Sequence, residues 1–410
     1  MKFSYISLSI PIFFLLIGIE LLIGIIKKRK LYRFNDTLTN INLGIGQQTI
    51  GIAMKVVLGY GYYFIYENAR LFELEENLLN IVILALGVDF FYYWFHRASH
   101  QINFLWAAHI VHHQSEDYNL SVALRQSWFQ GWFSWTFYLP LALIGFAPEI
   151  TFTVIAFNTL YQFWIHTTTI NSLGPLEWIF NTPSHHRVHH GSNPKYIDKN
   201  HAGSLIIWDK MFGTFKQEED EPVYGITKPL ASWSPVWANL HYWLELWEVA
   251  KKSSGFDRIR VFLKPPGWQP DYLGGFQAPP EIDKVSYSKF ENDGLKSHHA
   301  YVFFVFVICL SLSSAVLFLK NELTDIPLYS TMAYLLFTLA VSGGLMENSK
   351  WMIPAEYARI FAALPIALLY WEHPFFDDIM RGVGLFTLVN FFWFSRVVKH
   401  LRTNGNVPIT

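Results

Sequence analysis

Apolar residues in this chain come in long runs, without the strict alternation of a strand or the narrow stripe of a surface helix. Nine runs lie near residues 5–26, 42–66, 78–95, 128–146, 150–166, 300–319, 327–346, 354–371 and 379–397. Each is close to the roughly 20 residues that a helix needs to cross about 30 Å of hydrocarbon. Polar residues interrupt the second, third and fifth runs. The first occupies the place of a signal peptide, but its apolar stretch is too long and its basic cluster follows rather than precedes it. The pattern predicts an all-α integral membrane protein with about nine transmembrane helices.

Charge placement orients these helices. Lys27, Lys28, Arg29, Lys30 and Arg33 follow the first run, so that loop is expected on the cytosolic side. Alternate threading then places His96, His166 and the long polar segment 170–297 on the same side, together with Lys399, His400 and Arg402. Residues 1–296 are expected to form one membrane-embedded catalytic domain with a cytosolic cap. Residues 297–410 are expected to be a four-helix transmembrane extension without a metal-binding pattern. Trp233, Trp237, Leu240, Leu244 and Trp247 recur at helical spacing. They fit either a helix packed on the core or one lying in the membrane interface.

Composition narrows the chemistry. Hydrophobic residues make up 52% of the chain, charged residues 15%, and the net charge is −1, so nothing suggests a nucleic-acid partner. A single cysteine, Cys309, excludes internal disulfides and cysteine-built metal sites.

Of 16 histidines, half fall in three clusters: His96-Arg97-Ala98-Ser99-His100, His109-Ile110-Val111-His112-His113 and His186-Arg187-Val188-His189-His190. Residues three and four apart share a helix face. Each cluster therefore presents two or three imidazoles together, an arrangement that is costly unless a metal organises it. Eight imidazoles exceed one structural zinc site, and two ions are the natural count. An all-imidazole shell supplies no negative charge, so a bridging anion should offset part of the metals' charge. Imidazole suits iron, zinc and copper alike. The isolated His241, His298, His299, His373 and His400 read as ordinary core or surface residues.

Further polar residues stand out in apolar surroundings. Asp89 lies inside the third run, seven residues before His96 and on the same helix face. Acids inside membrane spans are usually functional, and a carboxylate often holds the outer nitrogen of a ligating histidine. Asn158, Gln162 and His166 form an i, i+4, i+8 stripe that should face the bundle interior, which makes His166 a candidate extra ligand. Glu116 and Asp117, just beyond the second cluster, fit either contact with a polar or cationic cofactor or a solvated loop.

The three clusters in this order, with Asp89 before the first, resemble the fatty acid hydroxylase/sterol desaturase superfamily of membrane di-iron oxygenases. The resemblance assigns iron to His96, His100, His109, His112, His113, His186, His189 and His190. A narrower resemblance, to the ether-lipid monooxygenases of that superfamily, extends over most of the chain. It is carried by Ser115 to Ser121, Leu124 to Ser127, Asn181 to Gly191, Asp198 to Gly203 and Leu205 to Phe215. It implies O2-dependent hydroxylation of the ether-linked carbon of glyceryl ether lipids, with release of fatty aldehyde. It also implies tetrahydrobiopterin as electron donor and places Asp89 and Asn200 in the catalytic set. Zinc is expected to replace iron in some preparations. There are two departures: Gln101 stands where an acidic residue is typical, and His201 where a tyrosine is typical. Other superfamily activities on acyl chains, sterols or carotenoids stay open, as does a redox protein as donor. A metal transporter fits less well, because its ligands would be spread along a transmembrane path. The oligomeric state is not legible.

Overall fold

The structure is a computed structural model describing residues 5–282, 287–292 and 298–403. The expected domain boundary at 296–297 lies outside the described residues. Among these residues the chain is helical, and extended pairing is limited to the isolated bridges Phe180–Leu205 and Gly191–Tyr224. Two compact units are present. The first comprises residues 1–47, 51–230 and 238–289, and the second 48–50, 231–237 and 290–410.

In the first unit, α1 (Tyr5–Ile26) is apolar over most of its surface apart from the buried Glu20, and 22 residues rise about 33 Å, enough to cross a bilayer core. The helix α2 (Phe34–Ala69) is longer than the apolar run at 42–66. Its first turns are polar, and Asp36, Thr39, Asn40 and Asn42 are all buried. The helix α3 (Leu78–Gln101) starts at Asn77, whose side chain accepts from the Asn80 N–H, and carries the first histidine cluster on its last turns. Of its buried positions, Asp89, Tyr93, His96 and His100 follow one another at i+4, i+3 and i+4 and share one face. After Ile102 the chain turns directly into α4 (Asn103–His113), which carries the second cluster.

The run at 128–146 does not form one spanning helix. It breaks into α5 (Gly131–Ser134), a tighter 3₁₀ turn (Trp135–Tyr138) and α6 (Leu139–Ile144). Pro140 removes an N–H that a continuous helix would need. Gly145 ends the segment at φ +119°, where a Cβ would lie 2.0 Å from the Phe72 carbonyl oxygen. These turns rise only about 20–25 Å, short of a bilayer core.

The remaining helices of this unit are α7 (Pro148–Trp164), α8 (Pro183–His189), α9 (Ile207–Met211), α10 (Pro235–Lys252) and α11 (Asp257–Leu263), with the first residues of α10 belonging to the second unit. Helix α3 packs on α4 and α7, and α7 on α1, so the three histidine clusters and His166 converge where these helices end. The second unit contains α12 (His299–Leu319), α13 (Asp325–Glu347), α14 (Met352–Leu368) and α15 (Phe376–Thr403), each packed on the next. Its core holds a fully buried ion pair. Arg359 Nε and Nη2 donate to Glu356 at 2.7 and 2.6 Å, and the Tyr301 hydroxyl also donates to Glu356.

Among the described residues, four helices are long and apolar enough to cross a membrane: Leu8–Ile26, Leu78–Gln101, His299–Leu319 and Asp325–Glu347.

Candidate metal centre

The histidines gather into two adjoining buried groups. His96, His100, His109, His113 and His189 form one, and His112, His166, His186 and His190 the other. Within each group the ligand atoms lie within 4.8 Å of one another. The groups share a wall, where the rings of His113 and His190 stack with centroids 4.5 Å apart. All eight cluster histidines are brought together, and His166 joins the second group.

Hydrogen bonds settle which nitrogen faces inward. His112 Nδ1 donates to the Arg125 carbonyl at 3.0 Å, and His166 Nδ1 to the Gln162 carbonyl at 2.7 Å. A carbonyl only accepts, so each Nδ1 carries the proton and each Nε2 keeps a bare lone pair. Those two Nε2 atoms face each other at 3.2 Å. Two lone pairs at that distance repel, and nothing in the protein separates them. The first group repeats the pattern. His96 Nδ1 donates to the His201 carbonyl at 2.7 Å and His189 Nδ1 to the Lys199 carbonyl at 3.0 Å. His96 Nε2 then lies 3.0 Å from His109 Nε2. The Nε2 atoms of His100, His189 and His190 are buried with no partner. Each unmet buried group costs about 1–3 kcal/mol.

A metal ion removes this conflict. Imidazole nitrogens about 2.0–2.1 Å from one ion stand about 2.8–3.0 Å apart along the edges of an octahedron and about 3.3–3.4 Å apart along those of a tetrahedron. The Nε2 spacings of 3.0, 3.2, 3.2 and 3.0 Å lie within these bounds. The donor set therefore fits a metal in each group.

The partners outside the rings come largely from one loop. Asp198, Lys199 and His201 face His100, His189 and His96 respectively. Asp198 and Asn200 adopt φ +57° and +54°, a left-handed conformation that Asp and Asn tolerate better than most residues. Asn200 belongs to this scaffold rather than to a reacting surface. Its amide donates to the His185 and Lys216 carbonyls at 3.0 and 2.7 Å, and its side-chain oxygen accepts from the Lys216 N–H. Both ends are occupied, so Asn200 positions the loop.

Asp89 touches no histidine, contrary to expectation. Its oxygens accept from Asn158 Nδ2 and the Ser204 N–H at 2.6 Å, Trp208 Nε1 at 2.9 Å and the Leu205 N–H at 3.0 Å. A Cβ at Gly203 would lie 2.8 Å from Asp89 Oδ1, so the backbone approaches as only glycine allows. Asp89 thus fastens 203–208, and through it the loop that holds three ligand rings.

Glu116 and Asp117 do not present free carboxylates to a cofactor. Arg33 pairs with Glu116 at 3.3 Å and with Asp117 at 2.9 Å, and Lys289 Nζ lies 2.6 Å from Asp117. Arg125, which carries no signal in spacing, proves central. It donates to the Val111 carbonyl, Asn40 and Gln114 at 2.7–2.9 Å, and so clamps the last turn of α4. Burial lowers its pKa to about 10.

Burial also keeps the rings beyond the spans neutral. It lowers the His109 pKa to about 3 and those of His112, His113, His186, His189 and His190 well below the ordinary value. An unfolded imidazole titrates near 6.5, so below about pH 6.5 the unfolded chain binds protons that the folded rings refuse. Stability should be fully present above that pH and fall as pH drops toward about 3. Protons also compete for the same lone pairs as a metal. Thermal midpoint and retained metal should both be level between about pH 7 and 8 and decline together below about 6.5; a flat profile down to pH 5 would contradict this.

Membrane-length helices ending in a buried all-imidazole centre define the class to which the fatty acid hydroxylases belong. The family model described as fatty acid hydroxylase matches residues 81–214, the stretch that carries all three clusters and His166. An alkylglycerol monooxygenase of Xenopus tropicalis is 40% identical over 351 residues, 84% of this chain and 78% of that protein. The alkylglycerol monooxygenase of Homo sapiens is 38% identical over 410 residues, covering 98% of this chain and 91% of that protein. The ornithine lipid hydroxylase OlsE of Rhizobium tropici is 29% identical over 153 residues, 34% of this chain and 41% of that protein. No solved structure matches the chain. This chain belongs to the alkylglycerol monooxygenase family.

Proposed function

We propose that the protein is a membrane di-iron monooxygenase acting on glyceryl ether lipids, with tetrahydrobiopterin as electron donor. The observation that carries the metal part is the pair of bare Nε2 lone pairs of His112 and His166 facing each other at 3.2 Å. His96, His100, His109, His113 and His189 would hold one ion, and His112, His166, His186 and His190 the other. Iron supplies the oxygen activation that an unactivated alkyl C–H bond requires.

The protein's own groups supply position and dryness. The Arg125, Gln162, Lys199 and His201 carbonyls hold the Nδ1 protons and aim the rings. Tyr92 and Tyr118 border the groups, 5.4 Å from the His96 ring and 5.2 Å from the His190 ring, and help exclude water. The reaction consumes O2, two electrons and two protons. One oxygen atom enters the C–H bond beside the ether oxygen and the other leaves as water. The resulting hemiacetal breaks its ether C–O bond, giving fatty aldehyde and a free glycerol hydroxyl. A lipid is suited to this site, since its chain can stay in the bilayer while its head group lies at the interface. The basic loop 27–33 supports a cytosolic-side centre, and eight of the nine apolar runs remain proposed spans, the broken 128–146 segment being too short to cross alone.

The substrate relatives support the ether-lipid reading over acyl, sterol or carotenoid hydroxylation, because likeness to the ornithine lipid hydroxylase covers only a third of the chain. Transport is disfavoured by the two groups adjoining each other rather than forming a path. The test is turnover of iron-loaded protein on a panel of alkylglycerols, fatty acids and sterols, with and without tetrahydrobiopterin. Aldehyde is expected only from alkylglycerol and only with the pterin. Hydroxylated fatty acid or sterol, or turnover with ferredoxin or cytochrome alone, would move the protein to another branch of the superfamily.

A further inference from the structure

Spacing alone leaves two places for the helix that carries Trp237, Leu240, Leu244 and Trp247: the protein core or the membrane interface. Burial separates them. On α10 these four side chains are 39–55% exposed. Ala238, Tyr242, Leu246 and Ala250 form the packed face instead. Trp233 lies before the helix and is buried.

The exposed side of α10 is itself divided. At about 100° per residue, Trp237, Leu240, Leu244 and Trp247 cover an arc of about 80°. Glu245, Glu248 and Lys252 are exposed on the next arc of about 60°. Lys251 starts on the apolar arc, but its stem runs beside Trp247, with Nζ 5.9 Å from the ring centre, and its ammonium reaches Glu248 at 2.6 Å. A lysine that leaves an apolar stripe for the polar side is snorkelling. The helix thus has a protein face, an apolar face and a charged face. Water gives no reason for the apolar face, and the charges in the last turns keep the helix from crossing a bilayer. Beside α11, Phe256, Ile259 and Leu263 repeat the exposed stripe at i, i+3 and i+7.

Asn103 fixes the depth of both helices. It is buried, two residues past the membrane-length helix α3. Its N–H donates to the Lys264 carbonyl at 2.9 Å, and its Nδ2 to the Val261 and Pro265 carbonyls at 2.7 and 3.2 Å. Its Oδ1 accepts from the Tyr242 hydroxyl at 2.7 Å. Helices α10 and α11 are therefore tied to the end of α3. The packed face of α10 rests on Ala107, Ile110 and Val111 of α4, opposite the face that carries His109, His112 and His113.

We propose that α10 and α11 lie in the membrane interface of the leaflet where α3 ends, with the apolar stripe among acyl chains and Glu245, Glu248 and Lys252 toward water. Tryptophan and snorkelling lysine are the residues that boundary favours. The two helices then set the depth of α4 and of the histidines on its far face. This rests on α3 crossing the bilayer, and not on the metal reading.

The experiment is electron paramagnetic resonance on the full chain in phosphatidylcholine–phosphatidylglycerol vesicles. Nitroxides are attached singly to Leu240→Cys, Leu244→Cys, Glu245→Cys and Glu248→Cys, with Leu86→Cys, exposed near the middle of α3, as reference. The native Cys309 is buried, and the parent gives the baseline. Collisions with oxygen, which partitions into hydrocarbon, are compared with collisions with a water-soluble nickel chelate. The Leu240 and Leu244 labels should favour oxygen and read a depth of about 5–10 Å. The Glu245 and Glu248 labels should favour nickel. Trp247→Cys replaces either stripe position if that variant does not remain monodisperse. Equal nickel access at all four positions would overturn the proposal. Shielding of the stripe from both reagents would overturn it too, as the mark of a covering protein or a second copy. A nickel-accessible Leu86 label would sink the membrane reading of α3 itself; with Leu86 immersed, the result bears on α10 and α11 alone.

Discussion

Replacing His112 by alanine should reduce turnover by more than about 100-fold, beyond the range usual for residues that only support a ligand. His112 is fixed from outside by the Arg125 carbonyl and faces the His166 Nε2 on the inside. Its loss leaves three imidazoles in the four-histidine group and removes half of the lone-pair pair that calls for a metal. Helices α1, α3 and α7 do not depend on it, because their association rests on packing and lipid partitioning. The variant should therefore still elute as a monodisperse membrane protein, with one metal ion fewer per chain. His189→Ala should behave likewise in the other group. Near-normal activity in either variant would remove that residue from the ligand set.

Asp89→Asn should have the second-largest effect, although Asp89 touches no ligand. The substitution keeps the size of the side chain but turns one acceptor oxygen into a donor. Every partner of Asp89 is itself a donor: Asn158, the Ser204 and Leu205 N–H groups and the Trp208 indole. The new amide would face two N–H groups, and hydrogen bonds to a charged acceptor are worth about 1.5–3 kcal/mol each. The 203–208 segment should loosen, and with it the 198–201 loop that aims His96, His100 and His189. Metal affinity or activity should fall by about 10–100-fold. Full metal occupancy with an unchanged rate would reduce Asp89 to helix packing.

The contrast between these two residues shows what could be read from the sequence. The histidines were legible because i, i+3 and i+4 spacing on a helix has one geometric meaning, and α3, α4 and α8 realise it. His166 was legible for the same reason, as the end of a polar stripe on an apolar helix. Asp89 was legible as an anomaly but not in its partner, since the partner lies 115 residues away in a loop. The loop itself left almost no mark. Lys199 and His201 act on ligand rings through backbone carbonyls, which any residue possesses. Only Asp198 and Asn200, residue types tolerant of positive φ, hinted at an unusual backbone.

Hydropathy fared similarly. It found α1, α3, α12 and α13, whose apolar runs coincide with their helices. It missed the first turns of α2, where buried Asp36 and Asn40 face the loop after α4 through Ser115, Ser121 and Arg125. Polar residues satisfied inside a protein look like solvent-facing ones in a sequence. It also read 128–146 as continuous, because an apolar count does not register the hydrogen bond lost at Pro140 or the left-handed turn at Gly145. Glu116 and Asp117 were visible as acids, but their neutralisation by Arg33 and Lys289 depends on contacts more than 80 residues away in sequence.

Isotopically labelled O2 shows whether metal held by these histidines inserts an atom of O2 beside the ether oxygen. Iron-loaded protein is supplied with an alkylglycerol, tetrahydrobiopterin and heavy-oxygen gas, and the fatty aldehyde is trapped as it forms. One labelled oxygen is expected in the aldehyde and none in the glycerol product. Aldehyde carrying oxygen from water, or cleavage that proceeds without O2, would contradict it.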